Sequence, residues 1–342
     1  MLDSLTYDEC VAQGVGPLVF PQRLAEGNCS PHENQQMKSV CLCTIQQQVQ
    51  IRHVFEQAYA ALEKAGIRAI VLKGGGLAAL YDDPSQRAWS DIDLFVGKNQ
   101  YHPACSVMRE TFPKALKFDE ELDHYKHYNL IADGVSIEVH RVSVGLVHPH
   151  DIRRYEPFET YGMANACEMK YQDASFLVPE PTFNAFFVFL HAWEHMLSMG
   201  ANARQLYDLT VLLHRYKDQM DQPRLKHYLQ ALCLMDVWQL FMAILVQHLE
   251  LPQDEAPFYT PKVESRAERL WQDLLAQRLV VPKANEPTPA TNRFVRKWHT
   301  MRERMANADR INTYSPAYAR HMRAAILLSG MKRLFAKDRH WE

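Results

Sequence analysis

The chain has 342 residues, 47% of them hydrophobic and 23% charged, with 38 Lys+Arg against 40 Asp+Glu. That composition excludes a disordered or collagen-like chain and is ample for a core spread over two domains. A net charge of −2 argues against a dedicated nucleic-acid scaffold, although residues 291–342 carry 12 Lys/Arg against 4 Asp/Glu, a local surplus of +8 over a remainder at −10.

Seven cysteines, an odd number with no repeated CxxC spacing, read as reduced thiols and not as a disulfide framework. The start Met1-Leu2-Asp3-Ser4 has neither a basic stretch nor an apolar run, and no segment approaches the ~18 uncharged apolar residues of a membrane span. A cytoplasmic protein without membrane contact is therefore expected.

Residues 16–37 hold the punctuating run Gly27-Asn28-Cys29-Ser30-Pro31 and are expected to form a loop. From 37 to 64 there is no Pro or Gly. Ile45, Val49, Phe55, Tyr59 and Leu62 recur there near helical spacing, which predicts a long amphipathic helix stopped by Gly66. Residues 67–72 (IRAIVL) form a short run, apolar but for Arg68 and rich in β-branched side chains, the pattern of a buried strand. Gly74-Gly75-Gly76 follow, then a short helix over 77–81, a turn over 82–85 and a second strand over 92–96. Residues 128–132 and 135–142 flank Asp133-Gly134, a strong hairpin signal. Helices are predicted over 183–199, 204–216, 224–248 and 265–278. Pro282, Pro287 and Pro289 then mark a linker before the basic tail.

The chemistry concentrates around the first two strands. Alternate side chains of a strand share a face, so Asp91 and Asp93 point one way while Ile92, Leu94 and Val96 point into a core. Two carboxylates side by side repel unless a cation sits between them, and oxygen ligands of this kind suit Mg²⁺. On 135–142, Ser136, Glu138 and His140 share the polar face, so Glu138 offers a third acid. Consecutive glycines after a strand let the backbone approach a phosphate closely. Lys73 and Arg87 add positive charge for phosphates. Together these parts suit phosphoryl or nucleotidyl transfer. Asn at 91 or 93 is expected to abolish turnover and, by relieving repulsion, to leave folding little changed.

The run from Leu72 to Val96 resembles the signature of nucleotidyltransferases of the DNA polymerase β superfamily, and more narrowly its branch of uncharacterised nucleotidyltransferases. Leu72-Lys73-Gly74, Tyr81, Arg87, Asp91-Ile92-Asp93-Leu94 and Glu138-Val139-His140 carry the resemblance. The region containing His191, Arg204 and Asp208-Leu209 is similar to that branch's helical half. The resemblance implies an α+β fold: a small polymerase β-like α/β unit with a mixed sheet (66–178), preceded by a helical N-terminal segment (1–65) and followed by a mostly helical C-terminal domain with a basic tail (179–342). It also implies Mg²⁺, with Mn²⁺ as a substitute, held by Asp91, Asp93 and Glu138. Glu138 would be the third acid and general base, and Lys73, Gly74, Gly75 and Arg87 would hold an NTP. The acceptor would be a small molecule, a sugar, a protein side chain or an RNA end. The superfamily's turn is usually Gly-Ser where this chain has Gly74-Gly75, so a serine contact to phosphate is missing and Gly75 offers its backbone N–H alone.

Each feature also has a plainer reading. Arg87 would serve as an ion-pair partner of Asp82 or Asp83, Lys73 as a structural ion pair, and His140 as a hydrogen-bonded residue at a strand end. The same fold without catalysis would be a nucleotide-binding or interaction module. His191-Ala192-Trp193-Glu194-His195 matches the inverted HxxEH pattern of zinc peptidases, with Glu250, Glu255 or Glu264 available as a third ligand. The basic tail is first a solvated helical face; its functional alternative is a patch that draws a polyanion such as RNA.

Overall fold

The computed structural model describes residues 2–118, 122, 124–146, 149–198, 200–276, 301–302, 305–306 and 308–335. The proline-marked linker at 282–289 and part of the basic tail lie outside them.

The region expected to be a loop contains helix. Helices α1 (Tyr7–Ala12) and α2 (Gly16–Glu26) precede α3, which spans Pro31–Lys64. Pro17 and Pro31 each stand in a first helical turn, where the missing N–H costs nothing. Gly27 closes α2 in the left-handed conformation, and Ser30 with Glu33 forms a reciprocal capping box that opens α3. The residues that looked like loop punctuation are thus helix caps.

After α3 come β1 (Ile70–Val71), α4 (Gly75–Ala78), β2 (Asp91–Phe95), α5 (Gly97–Thr111), β3 (Leu116–Lys117), β4 (His127–Ala132) and β5 (Val135–His140). Then follow α6 (Pro149–Ala164), β6 (Cys167–Tyr171), β7 (Ala174–Val178), α7 (Pro181–Ser198) and α8 (Ala203–Tyr216). The helix expected over 224–248 is two, α9 (Gln222–Ala231) and α10 (Met235–His248), separated where Cys233 adopts a positive φ of 57°. Neither Gly nor Pro signals that break. Helix α11 (Glu264–Leu275) and a helix over Pro316–Phe335 complete the described chain. None of the described helices is long and apolar enough to cross a membrane, and the seven cysteines are free.

The strands form one mixed sheet in the order β3-β4-β5-β2-β1-β7-β6. The pairs β2–β5 and β1–β7 are parallel and the remaining ladders antiparallel. The architecture is α+β, as expected of a nucleotidyltransferase fold. One sheet face is apolar: Ile92, Leu94, Tyr128, Leu130, Ile137 and Val139 are buried in a common core with Phe55, Ala58 and Leu62 of α3 and Tyr101, Cys105 and Met108 of α5. Strand alternation then commits the side chains between them to the opposite face.

By its internal contacts the chain divides into two units. One comprises Met1–Gly145, Glu159–Val188 and Asn202–Met220 and holds the whole sheet; the other comprises Leu146–Phe158, Phe189–Ala201 and Asp221–Glu342. The second is built on aromatic packing. Phe189 meets Trp238 and Phe241 at ring separations of 5.0 Å each, and the Trp238 indole N–H donates to the Pro257 carbonyl at 2.7 Å.

The three glycines after β1 differ in what they are needed for. Gly74 sits at φ 53°, ψ −119°, and a Cβ there would lie 2.6 Å from a ring carbon of Trp89. Gly76 would meet Val178 at 2.9 Å, whereas a Cβ on Gly75 would make only ordinary contacts, the nearest at 3.6 Å. The fold requires Gly74 and does not require Gly75. Gly74→Ala is expected to cost about 1–3 kcal/mol in denaturant unfolding and Gly75→Ala under about 1 kcal/mol; equal losses would contradict this division.

Candidate active site

Strand β2 runs parallel to β5 with Asp93 opposite Glu138 and Asp91 opposite Ser136. Strand β4 lies on the other side of β5, with His127 opposite His140 and Asn129 opposite Glu138. The register therefore brings Asp91, Asp93, Glu138, His140 and His127 onto the face opposite the apolar core. The hairpin turn Asp133-Gly134 fixes the β4–β5 register, with Asp133 at φ 49° and Gly134 at φ 79°.

Asp93 is the buried centre, 1% exposed. Its Oδ1 lies 3.0 Å from Lys73 Nζ and 3.0 Å from His140 Nε2. Lys73 Nζ is also 3.8 Å from Asp91 Oδ2, and His140 Nε2 is 3.1 Å from Glu138 Oε2. Lys73, from the start of the glycine turn, and the His140 ring, from β5, thus offset part of the charge of the three acids.

The titration directions follow from this arrangement. Burial works against the Lys73 ammonium, but Asp93, Asp91 and Glu138 outweigh it and hold the amine above its ordinary value. His140 follows the same pattern: burial lowers it, and its hydrogen bonds to Asp93 and Glu138 raise it further. The Asp91 carboxyl is pushed up, chiefly by the charge of Asp93 and then by burial. Burial raises Glu138, yet the His140 hydrogen bond brings it below the usual carboxylate range. His127, 3.6 Å from Glu138 Oε2, is lowered by burial to about 4 and is neutral at pH 7.

Sequence reasoning left the role of Arg87 open between a phosphate contact and a pair with Asp82 or Asp83. The structure gives it a different partner. Arg87 is 2% exposed; its Nε and Nη2 donate to the two Asp208 carboxylate oxygens at 2.6 and 2.9 Å, and its Nη1 donates to the Gly74 carbonyl at 3.1 Å. Asp82 pairs with Arg215, and Asp83 caps the following turn through the Ser85 amide. Tyr81 donates to Asp208 Oδ1 at 2.7 Å, and burial together with the Asp208 charge pushes its phenol up. Gln48 of α3 donates to the carbonyls of Pro84, Ser85 and Arg87. The 81–87 segment between α4 and β2 is thereby tied to α8 and α3, and the Gly74 carbonyl accepts from Arg87.

Asp208 and Gln48 are the functional-region residues that residue chemistry alone did not single out. Their partners are 121 and 39 positions away along the chain, beyond the reach of local spacing. His191 and His195 lie one turn apart on α7, ring centroids 4.4 Å apart, as the HxxEH spacing requires. Among the described residues, however, the single group of three gathered His, Cys, Asp or Glu ligand atoms is His127, Glu138 and His140. Among the described residues that group includes neither His191 nor His195, and it does not include Asp91 or Asp93.

With the acids, the glycine turn and their braces in place, the comparison with known families becomes decisive. The model of a family described as an uncharacterised nucleotidyltransferase matches residues 4–250. The chain belongs to this family. No curated protein and no solved structure matches it. The matched span takes in every strand of this nucleotidyltransferase's sheet and Asp208 on α8, and it ends before α11.

Removing one member of a buried bidentate pair leaves the other charge uncompensated. Asp208→Asn or Arg87→Met is expected to cost about 3–5 kcal/mol in denaturant unfolding, and Arg87→Met/Asp208→Leu less than the sum of the two. Additive losses would contradict a shared pair.

Proposed function

We propose that this nucleotidyltransferase moves a nucleoside monophosphate from an NTP to a hydroxyl-type acceptor with release of pyrophosphate, using Mg²⁺, or Mn²⁺ in its place, held by Asp91, Asp93 and Glu138. The observation that carries the reading is the seating of Lys73 and His140 among three carboxylates on one sheet face. That donor set is all oxygen and strongly anionic, and it already gathers positive charge; it fits a hard dication that keeps waters and substrate oxygens as further ligands. Bound there, such an ion supplies Lewis-acid polarisation and charge neutralisation for the triphosphate.

The chain's own residues do the rest. Lys73 carries its ammonium at the head of the glycine turn, where phosphate oxygens take over from Asp93 as its partner. Gly75, whose missing Cβ packing does not demand, leaves the backbone open to close approach of a phosphate. Glu138, ionised at neutral pH, accepts the proton of the attacking hydroxyl. Arg87 acts through the Gly74 carbonyl as a positioning residue. The acceptor is a small hydroxylated molecule, a sugar, a protein side chain or an RNA end, and mass analysis after an NTP screen against cell extract distinguishes them. A second reading, a nucleotide-binding module without turnover, draws on the same salt bridges, because Lys73 and His140 offset much of the acids' charge with no ion bound. Binding of NTP without label transfer would favour it.

Burial separates two substitutions that look equivalent in sequence. Asp91 is partly exposed and strained by Asp93, so Asp91→Asn relieves repulsion and is expected to leave stability within about 1 kcal/mol of the parent. Asp93→Asn strips Lys73 and His140 of a buried partner and is expected to cost about 3–5 kcal/mol. Little change in folding is accordingly expected for the substitution at position 91 and not for the one at position 93. Transfer of label from α-labelled NTPs is expected to fall by at least about 100-fold in Asp91→Asn. Retained transfer in that folded variant would refute the site.

A further inference from the structure

Next to the acidic pair lies a second set of metal-ligating atoms with a different chemical character. His127 and His140 are direct cross-strand partners, their ring centroids 5.0 Å apart. Glu138, two residues before His140, shares their face. Its Oε2 stands 3.6 Å from His127 Nδ1 and 3.1 Å from His140 Nε2, and the three ligand atoms lie within 4.8 Å of one another. Ligand atoms of a tetrahedral ion bound at about 2.0–2.1 Å stand about 3.3 Å apart. Two of the separations are already within a few tenths of an ångström of that arrangement.

Both rings are prepared for a ligand role. His140 Nδ1 faces the Val142 carbonyl oxygen at 3.4 Å, the backbone acceptor that commonly fixes a metal-bound histidine and leaves Nε2 as the ligand atom. His127 Nδ1 is buried and makes no hydrogen bond, an uncommon condition for a ring nitrogen held inside a polar cluster. Two imidazoles and one carboxylate do not form a Mg²⁺ donor set; they match borderline-soft dications, and His₂Glu with one open position is a recurrent zinc arrangement.

We propose that His127, Glu138 and His140 form a metal position adjoining the Asp91–Asp93 pair, at which an ion takes the His140 Nε2 that now contacts Asp93 Oδ1 at 3.0 Å, selective for a borderline-soft first-row dication with Zn²⁺ as the best match. The inference deepens the proposed function and rests on it only for Glu138, which the two positions share. It gives the nucleotidyltransferase a nitrogen-bearing ion beside a hard-ion pair, with His127 supplying a ligand that the acidic motif does not include.

The test titrates Co²⁺, a spectroscopic stand-in for Zn²⁺, into the chelator-treated full chain without nucleotide, and repeats the titration with Asp91→Asn, His127→Ala and His127→Gln. The expected result is one Co²⁺ per chain with the intense visible absorption of a four-coordinate, nitrogen-ligated ion, displaced by one equivalent of Zn²⁺ and not by about a hundredfold excess of Mg²⁺. Affinity stays within about threefold in Asp91→Asn and falls at least about tenfold in the His127 variants. Absence of Co²⁺ and Zn²⁺ binding, displacement by Mg²⁺, or equal affinity in a folded His127 variant would overturn the inference. If both His127 variants unfold, the Mg²⁺ competition in the parent protein decides alone. Mg²⁺-dependent transfer by a chain that binds no Zn²⁺ overturns this inference and spares the proposed function. Zn²⁺ binding without transfer of any nucleotide does the reverse.

Discussion

The carboxylate of Asp93 is buried on a sheet face with a second acid on its own strand and a third directly opposite on β5. An isolated charge at that depth would be prohibitively costly, and three acids together still more so. Lys73 and His140 meet the requirement by converging on the same Asp93 oxygen. Much of the surrounding structure follows from delivering those two cations. Strand β1 ends where Lys73 can reach β2, and β5 runs parallel to β2 so that Glu138 and His140 fall beside Asp93 and Phe95.

Under the proposed function a dication or a triphosphate would take over a lysine or histidine contact, and the displaced group would meet a phosphate or a carboxylate nearby. The turn that carries Lys73 must then stay fixed while its partner changes. The Arg87–Asp208 pair, with Tyr81 on the same carboxylate and Arg87 on the Gly74 carbonyl, supplies that rigidity from α8. Arg87 thus braces the turn from behind, through the Gly74 carbonyl and Asp208.

Much of this was legible in the sequence because the informative patterns are local. Alternation along β2 and β5 placed the acids on one face, and the Asp133-Gly134 pair announced the β4–β5 hairpin. What local patterns could not supply was partnership at long range: Arg87 with Asp208, Gln48 with the 84–87 carbonyls, and His127 opposite His140. Glycine and proline between 16 and 31 misled for the opposite reason, since the same residues that break helices also begin and end them. The division between α9 and α10 depends on a left-handed Cys233, a conformation that the residue type does not advertise.

The proposed function makes the polar face of β2 and β5 a dication site on which Lys73 and His140 act as resident counter-ions. The most direct measurement is a crystal structure of the chain with Mn²⁺ and a non-hydrolysable NTP analogue, read at the manganese absorption edge. An anomalous peak is expected within ligand distance of the Asp91 and Asp93 oxygens, with Lys73 moved from Asp93 onto a phosphate oxygen. Manganese elsewhere, with Lys73 and His140 still bridging the acids, would contradict it.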